Sequence, residues 1–194
     1  RSGRTVWLRM AGRLRAKGGP VRGTPIVLLP RRHLSDWFGL TAESGEPEVS
    51  PRAERVRAAL AERGASFFDE LQDSLRLLPT ELENALGELV NLGMVNADSF
   101  AGMRALLTPA ARRPSRMTRR SRGRPYGMVD AGRWALLRRD EVAERDRSAA
   151  LEHIAWVLLE RYGGVCWRLL DREADWMPPW RDLLRVYHRL EARG

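Results

Sequence analysis

Residues 66–107, SFFDELQDSLRLLPTELENALGELVNLGMVNADSFAGMRALL, decide how this chain folds. Phe68, Leu71, Leu75 and Leu78 recur at helical spacing, and Ser66 with Asp69 reads as a capping box that satisfies free backbone N–H groups. Pro79 breaks the run. Thr80 with Glu83 forms a second capping box, so a new helix starts after a very short turn and turns Leu82, Leu86, Leu89 and Val90 inward. Gly93 stops it as a left-handed cap. Two short apolar runs, 94–97 and 104–107, then flank a Ser- and Gly-containing turn and read as a β-hairpin. Upstream, Ser50 and Pro51 open a helix carrying Ala53, Val56, Ala59 and Leu60 on one side, ended by Gly64. Three helices followed by a hairpin make a winged helix, a module that binds nucleic acid.

Residues 148–194 repeat this plan imperfectly. Leu151, Ile154, Ala155, Leu158 and Tyr162 share one helix face before the Gly163-Gly164 stop. A short apolar step at 165–167 leads to a second helix or turn at 168–176. Pro178-Pro179 starts a third helix that directs Trp180, Leu183, Leu184, Tyr187 and Leu190 inward. The chain reaches Gly194 where a wing is due, so the second module is expected to lack one. At the other end, residues 5–10 and 24–29 read as two strands without preceding helices, the orphan hairpin of an earlier module. With Arg1 in place of an initiating Met, the expectation is a segment of a longer protein.

The expected fold class is therefore mainly α with small β-hairpins, in tandem winged-helix modules of which the second is wingless. The expected division is 1–48 for the orphan hairpin and a short helix and 49–108 for the first module. An Arg-rich linker with a docked GRWALL segment follows at 109–147, and the second module occupies 148–194.

The net charge of +9 is unevenly spread: +5 over 1–50, −3 over 51–107, +7 over 108–147 and zero over 148–194. Seven arginines and no acid lie in 112–124, a run that cannot fold alone because like charges repel and little apolar surface offsets chain entropy. Arginine makes forked hydrogen bonds to phosphate, so Arg119, Arg120, Arg122 and Arg124 are candidate nucleic-acid contacts. A linker kept soluble by an arginine-rich composition is the plainer reading. The second helix of a helix-turn-helix pair presents its solvent face to the major groove. In the first module that face is Glu81, Glu83, Asn84, Gly87, Glu88 and Asn91, which repels phosphate. In the second it is Arg181, Asp182, Arg185, His188 and Arg189, whose three arginines can follow a phosphate backbone.

Other classes find no support. No apolar run approaches the roughly 18 residues that a bilayer requires, so no membrane partner is expected. No phosphate-binding loop of the G-x-x-x-x-G-K-[ST] type occurs. His33, His153 and His188 lie far apart in sequence without ligand spacing, and no metal site is expected. Asp69, Glu70 and Asp73 read as partners of a helix dipole, so no catalytic residue is nominated. The single cysteine, Cys166, reads as a packed core thiol in a reducing cytoplasmic setting.

GASFFDEL (64–71), LENALGELVNLGMV (82–95), DSFAGMRALL (98–107), GRWALL (132–137), LLERYGGV (158–165) and PPWRDLLRVYHRLEARG (178–194) together resemble the C-terminal extension of large helicase-related (Lhr) ATP-dependent helicases. The resemblance implies a parent hydrolase that translocates 3′-to-5′ on single-stranded DNA and unwinds duplex DNA or RNA:DNA hybrids in DNA repair. ATP and Mg2+ would be bound by the remaining helicase domains, with no cofactor in this chain. It also implies two alternatives: a base-excising module, since such extensions resemble winged-helix DNA glycosylases, and a scaffold for domain docking or homo-oligomer formation.

Overall fold

The computed structural model describes residues 4–10, 26–41, 48–99, 132–137, 147–174 and 176–194. Its elements are β1 (Thr5–Leu8), β2 (Val27–Pro30), a 3-10 turn (Arg31–His33), α1 (Leu34–Thr41), α2 (Pro51–Arg63), β3 (Ser66–Phe67), α3 (Phe68–Leu75), α4 (Pro79–Asn91), β4 (Val95–Ala97), β5 (Arg133–Leu136), α5 (Arg147–Tyr162), α6 (Trp167–Leu170) and α7 (Trp180–Arg193). The chain is mainly helical with small antiparallel sheets, as expected. None of the described helices is long and apolar enough to cross a membrane.

The first module forms where the sequence places it, with different caps. Ser50 starts α2: its Oγ accepts from the Ala53 N–H at 3.3 Å and donates to the Glu88 carboxylate at 2.6 Å. Glu88 also accepts from the Ser50 N–H at 2.6 Å, so one carboxylate on α4 fixes the entry to α2. Neither Ser66 nor Thr80 caps a helix. Ser66 lies in β3, and Glu70 instead accepts from the Phe67 N–H at 2.8 Å to begin α3. Glu81 accepts from the Leu78 N–H at 3.0 Å to begin α4. Each start falls nearer an apolar N-cap than the Ser/Thr pattern implies, because the reaching Glu supplies the satisfied donor by itself. Leu78 is accordingly exposed and does not share the buried face of Phe68 and Leu71. Gly93, at φ 64°, turns the chain after α4, and the Met94 N–H closes the turn on the Leu89 carbonyl at 2.8 Å.

β4 pairs antiparallel with β5 in the register Val95↔Leu136, Asn96↔Ala135 and Ala97↔Trp134, while residues 104–107 lie outside the described residues. β5 also pairs with β3, giving the order β3-β5-β4. GRWALL is thus the central strand of the module's sheet. The chain between the two wing strands, 98–132, contains the arginine run. Gly132, at φ 81° and with Asp98 Cβ 3.2 Å from where its own Cβ would stand, lets β5 begin against the end of β4. Ala53, Val56 and Leu60 of α2, Phe68 and Leu71 of α3, Leu82, Leu86 and Leu89 of α4, and Val95 all pack with Trp134, which is fully buried.

A second core gathers Ala150, Ile154, Ala155 and Leu158 of α5 with Leu183 and Val186 of α7 and with Trp176 and Met177. The N-terminal hairpin and α1 complete it, through Val6, Leu8, Met10, Leu29, Trp37 and Phe38. β1 and β2 pair from Thr5↔Pro30 to Leu8↔Val27. Trp7, on the opposite face of β1, packs into the first core. Two inward readings are corrected here: Tyr162 and Cys166 are exposed. Tyr162 ends α5, its hydroxyl bonded to Glu173, and Cys166 sits in extended backbone at the entry to α6.

Trp134→Ala is expected to destabilise the first module by about 3–5 kcal/mol in urea denaturation, as for large buried aromatics in general. Trp134→Phe is expected to cost much less, because the buried indole N–H has no hydrogen-bond partner among the described residues.

Candidate nucleic-acid interface

The two recognition-type helices present different faces. On α4 the polar side chains are engaged internally: Glu81 with Arg52 at 3.1 Å, Glu88 with Ser50, and Asn91 Oδ1 with Arg9 Nη1 at 2.9 Å. Gly87, read as outward, is buried. This helix serves the packing of its own module and offers phosphate an acidic surface.

On α7, Leu183 and Val186 lock the helix to α5, and the Tyr187 hydroxyl donates to the Ala155 carbonyl at 3.1 Å. Burial pushes the Tyr187 phenol up to about 12. At the far end Arg193 meets Glu152 at 2.9 Å. These three attachments fix the rotation of α7, so that Arg181, Arg185 and Arg189 all point to solvent. The side chains of Arg181 and Arg185 are 77% and 72% exposed. Asp182 lies 3.6 Å from Arg181 and 4.0 Å from Arg185, a loose pairing that leaves most of both guanidinium groups facing water. Arg189 donates to Ser148 Oγ at 3.3 Å.

Between α5 and α7 runs an open groove of about 530 Å³, lined by Arg147, Leu151, Asp182, Arg185, Val186, His188 and Arg189. Its walls therefore carry three arginines against one carboxylate over an apolar floor, a charge balance suited to a phosphate backbone. Arg147 was not nominated from sequence, since it lies 34 or more positions before the other arginines and only the packing of α5 on α7 brings it to them. Arg119, Arg120, Arg122 and Arg124 lie outside the described residues. Near the same module Trp167 and Tyr162 are exposed, each with an arginine above its ring: Arg168 at 5.4 Å and Arg161 at 5.9 Å.

The reading of the histidines as separate is corrected. His33 and His153 stack with ring centroids 4.1 Å apart, and His33 Nδ1 lies 3.1 Å from Asp36 Oδ2. The packing of α1 on α5 brings them together, and no spacing along the sequence signals it.

Residues 144–194 match the family described as large helicase-related protein, winged-helix domain. The chain is 34% identical over 148 residues to a protein of Mycolicibacterium smegmatis named Lhr helicase/probable uracil glycosylase. The match covers 68% of this chain and 10% of that protein. It is 32% identical over 158 residues to the Lhr helicase/uracil glycosylase of Escherichia coli K12, with the same two coverages. The chain thus spans about a tenth of the length of these curated relatives.

Because its folded pKa is raised from 10.0 to about 12, Tyr187 contributes stability that is fully present below pH 10 and is lost as pH rises toward 12. Replacing it by Phe is expected to flatten that alkaline decline in thermal midpoint, measured between pH 9 and 12.

Proposed function

We propose, from the premise that this chain carries an Lhr-related winged-helix region, that it is a nucleic-acid-binding segment of an ATP-dependent helicase. The observation that carries this reading is the solvent-facing row of Arg181, Arg185 and Arg189 beside the groove between α5 and α7. Such a row neutralises successive phosphates and reads little sequence, as a translocating enzyme requires of the surface that holds its track. The acidic, internally engaged face of α4 leaves the second module as the primary contact.

In this reading ATP and Mg2+ are handled by other domains of the parent protein, which couples 3′-to-5′ movement on single-stranded DNA to the opening of duplex DNA or RNA:DNA hybrids during repair. The arginines that lie between β4 and β5 in sequence, Arg119, Arg120, Arg122 and Arg124 among them, supply a second phosphate contact. Exposed Trp167 and Tyr162 are available for stacking on unpaired bases.

The names of both relatives favour one alternative, a uracil-excising role. Incubating the chain with uracil-containing DNA and assaying abasic sites tests it directly. Cleavage above that of a heat-denatured control supports excision by this segment, and its absence beside an active control enzyme removes it.

For binding, titration into labelled single-stranded and duplex DNA should give a log K that falls with log salt at a slope of about −2 to −4, corresponding to roughly three or four phosphates. Changing Arg181, Arg185 and Arg189 together to alanine is expected to make that slope shallower by about 2. Equal slopes in wild type and variant would overturn the assignment to α7. A quadruple change of Arg119, Arg120, Arg122 and Arg124 to serine then tests that segment. If neither variant differs from wild type, or if nothing binds at low salt, the proposal falls and light scattering for self-association becomes the relevant measurement.

A further inference from the structure

Two imidazoles and a carboxylate meet at the junction of the 3-10 turn, α1 and α5, away from the arginine face. One potential ligand atom each from His33, Asp36 and His153 lies within 4.8 Å of the others, and all three residues are partly buried. We propose that these residues form a binding site for one first-row divalent cation of the zinc class, using two imidazole nitrogens and one carboxylate oxygen, with water completing the shell.

The geometry supports the donor set. Bonds of about 2.0–2.2 Å from a zinc-class ion place two donors roughly 3.0–3.5 Å apart. His33 Nδ1 and Asp36 Oδ2 stand at 3.1 Å, so a cation can take the place of the proton between them. His153 faces this pair from α5, its ring stacked on His33 with 13° between planes. An imidazole lone pair lies in the ring plane, so His153 must turn about its χ2 to point a nitrogen at the ion. The residue is only partly buried. Two nitrogens and one oxygen suit zinc, nickel or cobalt better than the all-oxygen shells of calcium and magnesium.

One local group opposes the ion. Arg32 Nε donates to His33 Nε2 at 2.9 Å, which holds a proton on Nδ1, the nitrogen needed for the metal. Binding therefore moves that proton from Nδ1 to Nε2, which reverses the tautomer and displaces the guanidinium. It follows that removing Arg32 should strengthen binding, whereas removing a donor should weaken it. A purely structural role for the cluster does not generate this opposition of signs. The consequence of occupancy is a clamp between the N-terminal segment and α5, within the second core.

The test uses the 194-residue chain without an affinity tag, stripped with chelator, and titrated with ZnCl2 by calorimetry and with CoCl2 by visible absorption. The expected result is one equivalent bound, a raised thermal midpoint, and a cobalt ligand-field band that zinc bleaches. His153→Gln and Asp36→Asn should each weaken binding by about tenfold or more, and Arg32→Ala should tighten it. No saturable binding by the wild type overturns the site. So does one-to-one binding that survives the double change His33→Ala and His153→Gln, since the ion then sits elsewhere, as at Cys166 or His188. If the donor variants do not fold by circular dichroism, Arg32→Ala decides, because it retains every donor: tighter binding supports the site, and equal or weaker binding overturns it.

Discussion

Strand β1 alternates between two cores. Val6, Leu8 and Met10 point into the core built around α5 and α7, while Trp7 points into the core built around α2, α3 and α4. Arg9 follows Trp7 on the same side and is 99% buried, with its Nη1 donating to Asn91 at the end of α4. Because a strand's side chains change face with every residue, a slip of one position would send each of these groups to the wrong core. The pairing of β1 with β2 therefore holds more than a hairpin: it fixes how the two helical units share one element. The guanidinium is only partly satisfied there, by Asn91, since its Nε has no partner among the described residues, and desolvation lowers its pKa.

That arrangement separates the roles of two helices that occupy equivalent places in their modules. The carboxylates of α4 work inward, with Glu81 capping its own helix and Glu88 holding the start of α2. The arginines of α7 remain outward because the opposite face is held by Leu183, Val186 and the Tyr187 hydroxyl. One plan, repeated in the sequence, thus yields a module whose recognition-type helix is spent on cohesion and another whose helix keeps its charge for solvent.

What the sequence made legible was local. The helices from Pro51 to Asn91 and from Arg147 to Arg193 could be read because their apolar period, proline starts and glycine stops all act within a few residues. The arginine face of α7 followed from the same period. The pairing of Arg133–Leu136 with β4 could not be read, because β4 lies far back in the chain and an equally apolar run at 104–107 stood closer in sequence. Helix caps moved by a residue or two for another reason: Glu70 and Glu81 supply the N-terminal acceptors without any Ser or Thr. The meeting of His33 with His153, and of Arg147 with Arg185 and Arg189, arises from packing between elements, which no spacing rule encodes.

The wing of the first module has a kinetic corollary. Its two strands enclose all of 98–132, and β5 must find its place between β3 and β4 after that whole stretch has been made. The entropy of bringing two distant points of a chain together grows only logarithmically, by about 0.6 kcal/mol for each doubling of the separation, so the native pairing tolerates the separation well. Its cost falls on the order of events. During synthesis the three helices and β4 emerge well before Trp134, the side chain around which they pack, so the first core is complete only once β5 has been made.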